Sequence, residues 1–196
     1  MATFTFHQPT GSYLKATQLD FNKAGTALSF SRNSGKWIYT NYPEKIGVSS
    51  TGLALAEHKY CTNKQTVNSG GEAMVFFSHW NLTGKELKYR VRLKNTTSND
   101  ITVTRTAIGF STGWEPAPTV ESYYAAINTP ISISGNGFAW LTPEYSIASN
   151  QPFNGMVKFV TNGTVEVILY AYHDATKILG TEVVYPYSRP KAFTFR

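Results

Sequence analysis

The side chains that could carry acid–base, nucleophilic or metal chemistry are few: four histidines, one cysteine and 12 carboxylates in 196 residues. The histidines, His7, His58, His79 and His173, lie far apart, whereas a zinc site draws on closely spaced pairs such as Cys-x2-Cys or His-x3-His. The nearest approach, His58-Lys59-Tyr60-Cys61, would point its two donors to opposite faces of a strand, so only a turn could bring them together. No serine stands in Gly-x-Ser-x-Gly, and Cys61 has no recognisable nucleophile context. Glu115, Glu121 and Glu144 fall in loops or at strand ends, where acids can flank a cleft for glycoside hydrolysis, but nothing in their spacing demands convergence. Asn33-Ser34-Gly35-Lys36 contains Gly-Lys without the upstream glycine of a phosphate loop. These residues predict a chain that is not an enzyme and uses neither cofactor nor metal.

The aromatic side chains are more informative. There are 12 Tyr, 12 Phe and 4 Trp, making 14% of the chain, while charged residues make only 15% against about 25% in ordinary domains. Sugar-binding sandwiches stack sugar rings on exposed aromatic faces, and Trp114, Tyr123 and Tyr124 lie in or just beyond an irregular, proline-containing stretch, Gly109 to Thr119, where side chains reach solvent. They are the candidate ligand-binding residues, and burial under their own loop is the competing expectation. Tyr170 and Tyr172 alternate on one predicted strand and are expected to be buried on one sheet face. Three Asn-x-Thr sequons, at Asn81, Asn95 and Asn162, each coincide with a predicted turn, which Asn and Thr favour for backbone reasons.

The elements that must position these residues read as strands. In Glu86–Lys94, Leu87, Tyr89, Val91 and Leu93 fall on one face and the charged residues on the other, a separation that a strand makes and a helix does not. After the polar run Asn95–Asp100, Ile101–Ile108 is expected to pair back as the antiparallel partner of a hairpin. A second hairpin is expected from Gly155–Thr161 and Thr164–Tyr172, with Asn162-Gly163 as a type I′ turn. Further strands are predicted at Thr3–His7, Ala27–Ser31, Trp37–Thr40, Leu53–His58, Ala73–Trp80, Ile131–Ser134, Phe138–Thr142 and Glu182–Tyr185. The only helix expected is a short one over Val120–Ile127. The expected fold is therefore all-β, an antiparallel β-sandwich or jelly roll with at most one short helix, in a single domain over residues 1–196.

Charge and termini narrow the partners. The net charge is +6, and residues 1–94 carry 12 basic and 5 acidic side chains, so the first half is the basic one. No run of five like charges and no arginine-rich arm occurs, so nucleic acid is not expected as a partner. A single cysteine excludes an internal disulfide. No apolar run approaches the ~20 residues of a membrane span, and the N-terminal Met1-Ala2-Thr3-Phe4-Thr5-Phe6 lacks the basic and apolar regions of a signal peptide.

The run Met74–Lys85, followed by the charged strand, Asn95-Thr96-Thr97 and Ile101-Thr102-Val103-Thr104, resembles a β-sandwich module of secreted and surface proteins of Gram-positive bacteria. Pro152-Phe153-Asn154-Gly155 and the Val-rich segment after it resemble the module's C-terminal part, so the likeness spans about residues 70–172. It implies a non-catalytic extracellular or cell-surface module for recognition or assembly. The alternatives are a lectin-like carbohydrate binder and a subunit of a self-assembling layer, fibre or coat, with a carbohydrate, a protein surface or a second copy of the chain as partner.

Overall fold

Alternating burial along long strands organises the molecule. In a computed structural model that describes residues 35–41, 44–47, 60–125, 127–173, 183–184 and 191–194, the segment rich in alternating charge becomes a strand whose Leu87, Tyr89, Val91 and Leu93 are all buried. The strands are β1 (Gly35–Thr40), β2 (Lys45–Ile46), β3 (Tyr60–Val67), β4 (Glu72–Asn81), β5 (Leu87–Asn95), β6 (Ile101–Thr112), β7 (Thr129–Ile133), β8 (Phe138–Trp140), β9 (Tyr145–Ile147), β10 (Gln151–Thr161), β11 (Val165–Tyr172), β12 (Val183–Val184) and β13 (Lys191–Thr194), with one helix, α1 (Ala117–Tyr123), after β6. The expected strands at Thr3–His7, Ala27–Ser31 and Leu53–His58 lie outside the described residues. All described residues belong to one compact unit, Ser34–Arg196. No helix among them is long and apolar enough to cross a membrane.

Two sheets pack face to face. Sheet I runs β13-β1-β4-β10-β6-β7 with β2 also on β4, and sheet II runs β12-β3-β11-β5-β8 with β9 also on β5. Pairing is antiparallel except where β1 and β2 join β4 and where β12 joins β3. The chain enters the two sheets alternately through β3, β4, β5 and β6, and β10 and β11 later insert at the middle of each sheet. This is the strand order of a jelly roll, and the chain is all-β as expected. The inward faces, including Phe77, Tyr89, Val91, Phe153, Phe159 and Leu169, make one core between the sheets. Gly155 of β10 is part of that fit, because a Cβ there would stand 2.0 Å from the Phe77 ring.

The two expected hairpins do not form. β5 pairs with β11, β8 and β9, whereas β6 pairs with β10 and β7, so the chain crosses between sheets after Asn95. The cause is an asparagine turned inward. Asn95 is fully buried, and its Nδ2 donates to the carbonyls of Asn99 (2.7 Å), Ile133 (3.2 Å) and Ser134 (3.0 Å). Its Oδ1 accepts from the Thr97 N–H and hydroxyl. The β4–β5 crossing repeats this chemistry: Asn81 Nδ2 donates to Lys85, Ile147 and Ala148 carbonyls while Oδ1 accepts from Thr83. The crossing from β10 to β11 lacks the type I′ turn, since the positive-φ non-glycine residues described are Asn136 and Asn150, and Gly163 is not among the positive-φ glycines. There Asn162 instead exchanges bonds with Thr102 of β6 through its N–H and its Oδ1.

Other departures are local. The helix begins three residues earlier than expected, with Pro116 as its N-cap and Pro118 in its first turn, where a proline loses no helical hydrogen bond. Strand β3 was not legible as a strand because its Asn63-Lys64-Gln65-Thr66 run is polar; its backbone is held by β11.

Replacing Asn81 or Asn95 by alanine strips donors from three carbonyls each, and should lower unfolding free energy by about 3 kcal/mol. Asn162→Ala, at an exposed residue, should cost about 1 kcal/mol. Urea denaturation of the three variants measures the difference.

Candidate functional site

Helix α1 lies across the outer face of sheet I, and it can do so because β6 has a glycine beneath it. A Cβ on Gly109 would stand 2.0 Å from the Thr119 carbonyl and 2.8 Å from the Tyr123 nitrogen, so the backbones meet directly. The segment leading into the helix is sewn to the sheet by polar bonds. The Ser111 and Thr119 hydroxyls bond each other, and Thr119 also donates to the Asn154 carbonyl at 3.3 Å. Asn154 donates from Nδ2 to the Gly113 carbonyl and accepts at Oδ1 from Ser78, while the Gly113 N–H donates to Pro152.

This framework decides where the three candidate aromatics stand. Trp114 is 64% exposed and Tyr124 is 68% exposed. Tyr123 is buried at 6% beneath the helix, so its ring presents no face to solvent. Tyr123 and Tyr124 touch edge to face at 5.5 Å, and Trp114 lies at the other end of the helix. The seven-residue helix is about 10 Å long, and the two exposed residues stand beyond its opposite ends. Trp114 is braced: it meets Trp80 edge-on, with centroids 5.0 Å apart, and Lys45 Nζ sits 5.4 Å from the Trp80 ring centre. Trp80 is the residue that sequence reasoning missed here. Its outward place on β4 was readable from alternation, but its partner lies 34 positions further along the chain.

The remaining reactive side chains separate. His79 is buried in the core against Tyr89 and Phe153, its Nε2 3.3 Å from the Tyr89 hydroxyl. His173 Nδ1 lies 2.6 Å from the Glu86 carbonyl. His7, His58 and the Cys61 side chain lie outside what is described. Glu115 and Glu121 flank and occupy α1 on the sheet I side, whereas Glu144 accepts from the Tyr172 hydroxyl at 2.7 Å on the outer face of sheet II. The sandwich itself keeps these acids apart. Among the described residues no three His, Cys, Asp or Glu side chains come together in a group that could hold a metal ion. The sequon asparagines Asn81 and Asn95 are buried with their amide nitrogens fully used, and only Asn162 is exposed.

Burial pushes the Tyr123 hydroxyl up from 10 to about 12, and Tyr124 and Glu72 add to the shift. No protein-family model matches the chain, and no curated protein matches it.

Gly109→Ala should lift α1 from the sheet without unfolding the sandwich. Limited proteolysis should then cut within the 113–125 segment, while far-ultraviolet circular dichroism stays β-type. Ionisation of Tyr123 gives a second expectation. Its unfolded form loses the proton near pH 10, and its folded form only near 12. The folded state thus holds more protons across that window, so stability should fall as pH rises through it. Denaturation midpoints at pH 9, 10 and 11 test this, with Tyr123→Phe showing the smaller loss.

Proposed function

We propose that the chain is a non-catalytic recognition module of the extracellular space or cell surface, and that its ligand is carbohydrate held on the Trp114 ring. The observation that carries this reading is an indole that is both exposed and fixed. Burying a large apolar side chain contributes about 1.5–3 kcal/mol, and Trp114 forgoes most of that. Its edge contact with Trp80 offsets about 1 kcal/mol and holds the ring still. A rigid exposed ring loses little entropy when a ligand lands on it, which is what a stacking platform requires.

On this reading the CH face of a sugar packs over the indole, and exposed polar groups nearby, Thr112, Lys45 and Glu115, meet its hydroxyls. Tyr124, beyond the other end of the helix, supplies a second platform, which suits a polysaccharide chain better than a single sugar. The resemblance of residues 70–172 to surface modules of Gram-positive bacteria agrees with an extracellular place.

Titration with soluble neutral polysaccharides, followed by tryptophan fluorescence, tests the proposal. Binding should shift the emission, Trp114→Ala should weaken affinity at least about tenfold, and Tyr124→Ala should weaken it less. Absence of any response across neutral polysaccharides, or equal binding of them by Trp114→Ala, would retire the reading.

A further inference from the structure

The outer face of sheet II carries a different pattern. Alternate residues of β5 point outward there, so Lys88, Arg90, Arg92 and Lys94 form a row, and its last three members span about 13 Å at strand spacing. Aromatic rings from the neighbouring strands stand beside them. The Arg90 guanidinium lies 4.2 Å from the Trp140 ring centre, and that of Arg92 lies 5.2 Å from Phe138 and 5.1 Å from Tyr170. The acids on this face are already engaged: Glu86 and Glu144 with Lys88, and Glu166 with Lys64. No ion pair joins Arg90, Arg92 or Lys94 to a carboxylate among the described residues, and the buried Nε of Arg92 has no acceptor there.

We propose that this arginine–aromatic row is a second binding surface, independent of Trp114, for an acidic polysaccharide. A guanidinium laid on an aromatic ring is held in orientation; Arg90 Nε donates to the Thr142 carbonyl at 3.2 Å and Arg92 Nε is buried, so the terminal Nη groups are what a carboxylate or sulfate meets. The rings do not offer what single-stranded nucleic acid uses, a row of free aromatic faces for successive bases. All three stand against guanidinium groups; Tyr170 is buried, Trp140 is half-buried, and Phe138, 47% exposed, shares Arg92 with Tyr170. Evenly spaced cations with little free ring surface fit the repeating anionic groups of a polysaccharide.

The test is binding of the intact chain to four immobilised polymers: polygalacturonate, dextran sulfate, neutral dextran and oligothymidylate. Retention on at least one of the two acidic polysaccharides, released by salt on the order of 0.5 M, with none on dextran, is the expected result, and their ranking distinguishes carboxylate from sulfate. The Arg90→Gln/Arg92→Gln pair should weaken that binding about tenfold or more and flatten its salt dependence. Lys94→Gln, at an exposed position, keeps the fold intact and should weaken it about threefold. Trp114→Ala should leave it unchanged, which separates this surface from the carbohydrate platform on sheet I. Failure to bind either acidic polysaccharide, binding undiminished in both the double variant and Lys94→Gln, or tighter retention on oligothymidylate would overturn the proposal.

Discussion

Two side-chain amides hold the chain where it leaves one sheet for the other. At Asn81 and at Asn95 the side chain turns into the protein and donates to three carbonyls, two of which belong to the end of a distant strand, β9 in one case and β7 in the other. A buried amide must find partners for both its N–H groups and its oxygen. Each of these does, within the same Asn-x-Thr geometry. Because the bonds link the crossing to a strand end elsewhere, they tie three elements together at once. The alternate visiting of the two sheets, and hence the whole strand order, depends on these corners.

From that order the surfaces follow. With β10 and β11 in the centre of their sheets, each sheet has an inward face that makes the common core and an outward face with its own character. On sheet I the outward face includes Gly109, which lets a helix lie flat and leaves the helix-flanking rings of Trp114 and Tyr124 in solvent. On sheet II the outward face carries Ile168, Tyr170 and Tyr172 as a satellite cluster with Trp140, edged by arginines. From Val167 onward the same strand, β11, is therefore buried on both sides, with its odd residues in the core and Ile168, Tyr170 and Tyr172 in this cluster.

Sheet edges are handled differently from faces. β7, the last strand of sheet I, has only five residues and includes Pro130, which cannot donate a ladder hydrogen bond. β8, last in sheet II, has three residues. Short strands and a proline make these edges poor templates for pairing with another chain.

Alternation along β4, β5, β10 and β11 was legible directly, because which way a side chain points on a strand depends only on its neighbours in sequence. That was enough for the all-β class, for the inward set Leu87, Tyr89, Val91 and Leu93, for the charged row opposite them, and for Tyr170 and Tyr172 sharing a face. It was not enough for strand pairing. A hairpin and a crossing between sheets place the same residues inward, and the choice rested on bonds from Asn95 to Ile133 and from Asn81 to Ile147, 38 and 66 positions away. The candidate site divided in the same way. Aromatic residues beside a proline-containing loop could be picked out from the sequence, but Tyr123 went under the helix and Trp114 stayed out because of Gly109 and Trp80, contacts that exist only once the sheets have assembled.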